Sequence, residues 1–220
     1  MARHGESKHF KRSVVTRAIV IPRKKYKYYI RQMPGKHRVS ESVALSGLIR
    51  DLAKIANNAK ESRFLIKKGY VKIDEKSVKE EKYSVGFGDV VDIRGEKFLV
   101  SLDKNGRLAL IKDDLGNGIK KLKVISKSKF KGGKTLLSFN DGRNMILNED
   151  NVQVGDSVLL NLLVNKIEKV LPFEQGAQVI VFRGKNAGLT GKIANMGEDS
   201  IELQVDGEII RAASRSCFVL

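Results

Sequence analysis

The sequence predicts an α+β protein in which a pair of helices precedes many short β-strands. Apolar residues recur at helical spacing between Leu45 and Ala56, and beyond Phe98 they alternate in short runs separated by glycine turns. Residues 1–40 have neither pattern and are strongly basic. With 220 residues, of which 41% are hydrophobic, the chain can form one large or two to three small domains, and wholesale disorder is excluded.

Two helices are predicted near the amino end. The first has one narrow apolar stripe, and Ser40 or Ser42 is placed to cap its amino end. A second short helix is predicted over residues 59–68, with Gly69 just past its end. The apolar stripe of the first helix consists of Leu45, Leu48, Ile49, Leu52, Ile55 and Ala56.

Strand-like runs follow the helices. Residues 70–74 and 85–93 complete a domain that begins with the helical pair. Farther along, dipeptides such as Asn105-Gly106 and Asp141-Gly142 supply the positive φ that tight hairpin turns demand. Many short strands with frequent turns are typical of small β barrels. The strands expected there are Leu108–Ile111, Leu122–Ile125, Thr135–Phe139, Met145–Leu147, Val158–Leu163 and Val179–Phe182.

The net charge of +17 is concentrated at the amino end. Residues 1–40 hold twelve Lys and Arg against one acid, whereas residues 172–220 hold five against six. Because so charged a segment cannot close a core alone, we expect an extended arm that orders against its partner. Its cations would release counterions from a phosphate backbone, and Tyr26, Tyr28 and Tyr29 suit base stacking. The alternative is a solubilising or nuclear-targeting tail, for which this segment is too apolar.

Several functional classes are excluded by residue content. Cys217 is the only cysteine, which rules out a disulfide framework and a cysteine-based zinc site. The three His lie within the first 37 residues, so little remains for catalysis or metal binding, and no cofactor is expected. The longest apolar run, Val158–Val164, is far shorter than a membrane span, and the amino end lacks the apolar core of a secretory signal. We therefore expect a cytoplasmic protein with no membrane partner and no homo-oligomer.

Both predicted helices have a basic side. Arg50 and Lys54 lie opposite the apolar stripe, one turn apart, and Lys60, Arg63 and Lys67 share a face of the second helix. Such side chains can grip the phosphates of folded RNA, in contacts that position the protein rather than read a base sequence. An ordinary solvated helix face is the alternative, since acidic residues lie nearby.

A glycine-rich turn joins two strand-like runs within residues 176–193. Gly184, Gly188 and Gly191 permit a tight loop whose backbone can approach a ligand closely, with Lys185 at its tip. A plain hairpin is the alternative interpretation. A phosphate-binding P-loop is excluded, because no Gly-Lys-Ser/Thr leads into a helix.

Segments in a fixed order along the chain match the pattern of one protein family. They are Lys8-His9-Phe10-Lys11-Arg12, Pro34-Gly35-Lys36-His37, Glu41-Ser42, Val71-Lys72-Ile73-Asp74, Gly106-Arg107, Asn140-Asp141-Gly142-Arg143-Asn144 and residues 176–193. In this order the chain resembles, over nearly its full length, the S4e family of small-subunit ribosomal proteins. It departs from the family pattern at Lys36, Phe139 and Arg183, where the family commonly has Pro, His and Gly. Because no basic extension follows Leu220, the likeness is to archaeal members.

The resemblance implies four parts. They are a basic RNA-binding arm (residues 1–41), an S4-type RNA-binding domain made of an αα-hairpin and β-strands (42–104), a central β domain (105–171) and a KOW motif in an SH3-like barrel (172–220). The implied function is a non-catalytic constituent of the small ribosomal subunit, whose partners are ribosomal RNA and neighbouring small-subunit proteins. The implied RNA-binding residues are Arg3, Lys8, Lys11, Arg12, Arg23, Lys24, Lys25, Arg31, Lys36, His37, Arg38, Arg50, Lys54, Lys60, Arg63, Lys67, Lys68, Arg183, Lys185 and Asn186.

Two other functions stay open at the level of sequence. An RNA-modifying enzyme can carry an S4-type domain, but residues 105–220 contain no glycine-rich cofactor loop and are too few for a typical α/β catalytic domain. A transcription-elongation factor can be built around a KOW barrel, and it should co-purify with RNA polymerase rather than with small subunits.

Overall fold

The computed structural model describes residues 9–112, 118–148, 151–197, 199–205 and 207–220. The chain folds into two compact units. Unit 1 comprises residues 1–101 and 107–113, and unit 2 comprises residues 102–106 and 114–220. Most of the regular structure is antiparallel β-sheet, and the helices are short. The expected combination of a helical pair with many β-strands is confirmed, but the helices are few and short, so the chain is a mostly-β protein.

Unit 1 is built around a sheet of short strands. Its strands are β1 (His9–Lys11), β2 (Tyr28–Ile30), β3 (Ser42–Ala44), β4 (Val71–Ile73), β5 (Lys76–Ser77), β6 (Ser84–Gly86), β7 (Val90–Ile93), β8 (Glu96–Leu102) and β9 (Leu108–Lys112). The largest sheet has the order β5-β4-β7-β8-β9, while β1 pairs with β2 and β3 pairs with β6. The single strand expected over residues 85–93 is two strands, because Gly88 turns the chain with a φ of +84°.

The first helical segment is shorter and wider than predicted. It begins as α1 (Leu45–Gly47) and continues as one π-helical turn over Leu48–Leu52. In that turn the amide of Ala53 donates to the carbonyl five residues earlier, at 2.9 Å. Lys54 then adopts a φ of +55°, which ends the helical conformation. The predicted helix therefore forms over Leu45–Leu52 but ends before Ile55 and Ala56, the last residues of its apolar stripe.

The prediction that Ser40 or Ser42 caps this segment is also wrong. The residue before α1 is Ala44, which makes no side-chain capping bond. The first two amides of α1 instead donate to the backbone carbonyls of Tyr83 and Glu81, at 2.9 and 3.0 Å. A contact with a distant part of the chain therefore satisfies the donors that a cap would satisfy.

The second helix forms where predicted. α2 spans Ala59–Lys67, and the Asn58 side chain caps it by accepting a hydrogen bond from the Glu61 amide at 2.9 Å. Gly69 follows the helix with a φ of +79°, the left-handed conformation expected just past a helix end.

The basic amino-terminal segment is not an extended arm in the residues described. β1 and β2 pair across the segment, and Val15, Ile19 and Tyr29 are buried. The Ala18 carbonyl accepts a hydrogen bond from the amide of Leu108 at 2.8 Å, which ties the segment to β9. Burial of these apolar side chains stabilises the segment within unit 1 despite its charge.

Unit 2 contains two five-stranded antiparallel sheets. Its strands are β10 (Ile119–Lys129), β11 (Thr135–Phe139), β12 (Asn144–Leu147), β13 (Ser157–Asn161), β14 (Lys166–Leu171), β15 (Gln178–Val181), β16 (Thr190–Met196), β17 (Ser200–Val205), β18 (Glu208–Ala213) and β19 (Cys217–Val219). The strand orders are β12-β11-β10-β13-β14 and β18-β17-β16-β15-β19. The long strand β10 pairs with both β11 and β13, and a bulge between Val124 and Ser126 lets the first sheet curl.

Each sheet of unit 2 has its own apolar core. Leu122, Leu137 and Val158 are buried in the first, and Val179 and Ile193 in the second. All the strand-like runs predicted beyond Phe98 coincide with strands, with ends shifted by a few residues. Alternation of apolar side chains and glycine turns were sufficient local signals for these strands.

Candidate nucleic-acid interface

A cationic cavity of about 410 Å³ opens in the amino-terminal segment of unit 1. One wall comes from the end of β1 and the turn after it, and the other from the loop that precedes β2. Pairing of β1 with β2 brings these two stretches together. Six of the eight described lining residues are cationic, so the cavity is suited to an anion. The lining residues are Lys11, Arg12, Ser13, Arg23, Lys24, Lys25, Tyr26 and Lys27.

Two arginines of this cavity hold its walls together. Arg12 is buried, and its guanidinium donates to the carbonyls of Tyr28 and Pro22, at 3.2 and 2.8 Å. The guanidinium of Arg23 donates to the Val15 carbonyl at 2.6 Å. The cavity's exposed charge therefore comes from its four lysines.

Lys36 and His37 are paired with buried carboxylates. The Lys36 ammonium lies 2.6 Å from the carboxylate of Asp74, which follows β4. The Nε2 atom of His37 lies 2.8 Å from the carboxylate of Asp89, which precedes β7. Both aspartates are almost fully buried. These contacts attach the Pro-Gly-Lys-His turn to the main sheet, so the two residues have a structural role.

The Arg50 side chain makes its contacts within the protein. Its guanidinium makes two hydrogen bonds to the Asp51 carboxylate, at 3.0 and 2.6 Å, which raise the pKa of Arg50. It also lies 5.6 Å from the centre of the Tyr29 ring, and burial raises the pKa of Tyr29. The Tyr29 hydroxyl contacts Gly47 so closely that any Cβ there would collide with it. Lys54, by contrast, is exposed.

The outer face of α2 and the residue after it present three exposed lysines. Lys60, Lys67 and Lys68 all project into solvent, as the helical spacing predicted for the first two. Arg63 shares this face, but its guanidinium lies 2.7 Å from the Glu81 carboxylate. The free positive charge of the face therefore comes mainly from the lysines.

In unit 2, the loop after β15 carries three of the predicted site residues, Arg183, Lys185 and Asn186. Lys185 is exposed, as expected for the tip of the loop. The Asn186 amide donates to the Arg211 carbonyl at 3.1 Å, which orients the loop on β18. Arg183 is half-buried.

The loop backbone was expected to approach a ligand closely, but it approaches another part of the protein instead. Gly188 has a φ of +91°, and a Cβ there would collide with the Asp103 carbonyl. Gly184 also has positive φ, at +93°, and a Cβ at that position would meet open space. Gly188 is therefore needed for packing, whereas Gly184 is needed only for the turn.

Four further predicted residues complete the set. Arg3 and Lys8 lie outside the described residues. Arg31 is half-buried, with its guanidinium 5.1 Å from the centre of the Phe10 ring. Arg38 is exposed.

Sequence reasoning missed other residues of this region. Lys27 lines the cavity and had a visible signal, since it continues the basic run Arg23-Lys24-Lys25. Asp74 and Asp89 had no such signal, because their burial and their partners depend on the fold.

A buried cation was also missed in unit 2. Lys123 of β10 is 4% exposed, and its ammonium donates to the carbonyls of Ser214 and Cys217 at 2.8 and 2.6 Å. It lies 5.2 Å from the centre of the Phe173 ring. Desolvation lowers the pKa of Lys123 to about 8 and raises the pKa of the Cys217 thiol to about 11. Lys123 thus connects the two sheets of unit 2.

Within the described residues, no group of three or more His, Cys, Asp and Glu side chains is arranged to hold a metal ion. Among the helices of the same residues, none has both the length and the apolar character needed to cross a membrane.

Proteins of similar sequence have a common description. A family model described as ribosomal family S4e matches residues 94–167. The small ribosomal subunit protein eS4 of Methanocaldococcus jannaschii is 34% identical, over 100% of this chain and 96% of that protein. The protein of the same name from Methanothermobacter thermautotrophicus is 38% identical, over 88% of this chain and 81% of that protein.

A solved structure extends the similarity to the fold. The crystal structure of the 30S ribosomal protein S4e from Thermoplasma acidophilum matches with a TM-score of 0.72 and 30% identity. The match covers 82% of this chain and 95% of that one. The similarity to the Methanocaldococcus protein extends over the whole of this chain and nearly all of that protein. This chain therefore belongs to the S4e family of ribosomal proteins.

Proposed function

We propose that this protein is a non-enzymatic structural component of the small ribosomal subunit that binds the subunit's RNA through unit 1. The observation that carries this proposal is the cavity lined by six cations. RNA is a polyanion, and lysines that neutralise its phosphates gain affinity from released counterions. The names of the relatives support the same function, and they favour it over an RNA-modifying enzyme or an elongation factor.

The structure divides the predicted RNA-binding residues by the partners they already have. Those bonded to carbonyls or carboxylates support the surface rather than contact phosphate; they are Arg12, Arg23, Lys36, His37, Arg50, Arg63 and Asn186. Exposed cations are assigned to phosphate contact, and they are Lys11, Lys24, Lys25, Arg38, Lys54, Lys60, Lys67, Lys68 and Lys185.

We further infer that the parts implied by the family resemblance are real folding modules. The segment α1–α2 with the sheet that follows supports an S4-type domain over residues 42–104, after a basic segment at 1–41. The two sheets of unit 2 support a central β domain over 105–171 and an SH3-like KOW barrel over 172–220. The small net charge of the last part suits protein neighbours or sparse RNA contacts.

Neutralising the cavity tests the proposal. The variant replaces four exposed lysines by Gln: Lys11, Lys24, Lys25 and Lys27. Unlike deletion of residues 1–40, it keeps the buried Tyr29. Each phosphate contact contributes about 0.7–0.9 to the slope of log affinity against log salt, so binding to small-subunit RNA should weaken and the slope should fall by about 3. Titrations at several salt concentrations measure both quantities.

A matched control separates the cavity from bulk charge. It replaces four exposed lysines of unit 2 by Gln: Lys129, Lys131, Lys134 and Lys192. This control has the same formal charge and should keep a slope near that of the unmodified protein. Equal losses in the two variants would contradict the cavity as the binding site. A tagged copy should also sediment with small subunits, and finding it only at the top of a sucrose gradient would contradict the ribosomal role.

A further inference from the structure

Two large aromatic side chains stand in solvent among cations at the carboxyl end of α2. Phe64 is 53% exposed and Tyr70 is 49% exposed. The Lys68 ammonium lies 5.7 Å from the centre of the Phe64 ring, and the Arg94 guanidinium carbon lies 5.5 Å from the centre of the Tyr70 ring. Each ring therefore leaves apolar area in water beside a positive charge, where a flat anionic partner can bind.

The helix itself turns Phe64 outward. α2 buries Leu65 against the core of unit 1, and the neighbouring Phe64 consequently lies on the solvent side. Lys60, Lys67 and Lys68 lie about one turn from Phe64 on the same helical surface. All three are exposed, so the ring is surrounded by charges that face solvent.

Tyr70 is positioned by its backbone. Gly69 turns the chain, and the Tyr70 amide then donates to the Leu65 carbonyl at 3.2 Å. The Tyr70 carbonyl accepts a hydrogen bond from the Arg94 amide at 3.0 Å. These two bonds fix the residue between α2 and the turn before β8. The outward position of the ring is therefore a property of the folded protein before any partner binds.

We propose that Phe64 and Tyr70 stack on unpaired nucleobases of the bound RNA, an inference that rests on the proposed function. Every base has a flat face that an aromatic ring can cover. The cations beside the rings would contact the phosphates of the same strand. Bases inside a duplex are already stacked on their neighbours, so the segment recognised is a single-stranded loop or bulge.

Charge complementarity favours RNA over a protein partner at this surface. Two acids of this region have partners within the protein: the Glu61 carboxylate accepts a hydrogen bond from the Asn57 amide at 2.8 Å, and the Glu81 carboxylate accepts one from the Arg63 guanidinium at 2.7 Å. Lys67, Lys68 and Arg94 are all exposed and offer positive charge to a partner. A polyanion with exposed ring faces satisfies both the charges and the aromatic side chains.

Two alanine variants test the stacking. Phe64→Ala and Tyr70→Ala should each weaken binding to a small-subunit RNA fragment with an unpaired loop by about tenfold. Neither variant removes a cation, so the salt slope should stay unchanged. Phe64→Tyr and Tyr70→Phe keep the rings and should bind like the unmodified protein. Because both positions are half-exposed, circular dichroism should find the alanine variants folded.

Fluorescence gives a second measurement. The chain has no Trp, so Phe64→Trp and Tyr70→Trp each introduce a single reporter. A base stacked on an indole quenches its emission. The loop-containing fragment should therefore quench both reporters, whereas a fully paired duplex of equal length should not.

The outcomes distinguish failure of the stacking from failure of the proposed function. If the protein binds the RNA and both alanine variants bind it equally tightly, stacking is wrong while the RNA-binding function stands. Equal quenching by loop and duplex also overturns it. If the unmodified protein neither binds the RNA nor sediments with small subunits, the proposed function itself fails. If the alanine variants bind RNA normally but no longer bind a neighbouring ribosomal protein, the partner of Phe64 and Tyr70 is that protein and not a nucleobase.

Discussion

Two pairs of lysines, one pair from each compact unit, have contrasting environments. In unit 1, Lys24 and Lys25 are exposed beside a cationic cavity. In unit 2, Lys120 and Lys123 are 1% and 4% exposed. Lys120 lies 3.5 Å from the Asp141 carboxylate, and Lys123 donates to two carbonyls. Lys24 and Lys25 can therefore contact a partner, whereas Lys120 and Lys123 are bound within the protein; other lysines of unit 2, such as Lys134 and Lys185, are exposed.

The contrast shows that net charge alone does not locate a binding surface. A buried charge is costly unless it is paired or hydrogen-bonded, so the buried lysines have partners within the protein. An exposed lysine is free to neutralise phosphate and release its counterions. The net charge of +17 counts both kinds equally. Only the exposed ones contribute directly to affinity for RNA.

The largest expected effect comes from removing a buried side chain that packs the basic amino-terminal segment, and with it the exposed cations, into unit 1. Tyr29→Ala deletes a ring that is 2% exposed, so the free energy of unfolding should fall by about 3–5 kcal/mol. Urea denaturation followed by circular dichroism measures the change. Tyr28→Ala, at a neighbouring side chain that is 48% exposed, is the control and should cost about 0.5 kcal/mol or less. Equal losses of unfolding free energy in the two variants would show that the basic segment is not packed against the rest of unit 1.

A second, intermediate effect concerns the pH dependence that Lys123 gives to unit 2. Its pKa is about 8 in the folded protein, against 10.5 ordinarily. Between these values the unfolded chain binds more protons, so the contribution of Lys123 to stability increases as pH rises. Cys217 acts oppositely between about pH 9 and 11, because its raised pKa keeps the folded thiol protonated while the unfolded thiol ionises.

A Cys217→Ala background separates the two groups. In it, the free energy of unfolding should gain roughly 2–3 kcal/mol from Lys123 between pH 8 and 10.5. Adding Lys123→Met should remove this gain, while adding Lys134→Met, at an exposed position, should leave it in place. Denaturation curves across this pH range measure the difference. Parallel pH profiles in the two double variants would contradict burial of the Lys123 ammonium.

The smallest expected effect concerns the cap of α2, the helix that carries the exposed lysines Lys60 and Lys67. Asn58→Ala removes the cap that accepts the Glu61 amide, so the free energy of unfolding should fall by about 1 kcal/mol. The matched control is Asn57→Ala, because Asn57 contributes its backbone amide to the same turn and keeps it in the variant. Thermal or urea denaturation measures both. If the control were the more destabilised of the two, Asn58 would not be the cap.

The elements that sequence predicted correctly depend on local signals. α2 combines an apolar face with Gly69 at its end, and the strands of unit 2 combine alternation with glycine turns. The first helix begins where its apolar stripe predicted, but its predicted serine cap was wrong because its first amides donate to the carbonyls of Tyr83 and Glu81. Those groups lie far from α1 in sequence, so no local pattern contains the information.

The candidate site shows the same division. The basic run Arg23-Lys24-Lys25 identified one wall of the cavity, since charge is visible residue by residue. Which of these cations stay free was not visible, because Arg12 and Arg23 bind carbonyls that the fold brings to them. The exposure of Phe64 and Tyr70 was missed, since an isolated aromatic residue carries no sign in the sequence of its exposure.

The sequence by itself determined that a basic segment precedes a short helical region and many strands, and that the chain resembles S4e proteins. Composition, periodicity and turn residues are properties of neighbouring residues, and neighbours suffice to establish them. Only the tertiary structure decided which cations face solvent and which are bound inside. Lys36 meets Asp74 and Lys123 meets Cys217 across long stretches of chain, and it is burial that makes such partners necessary.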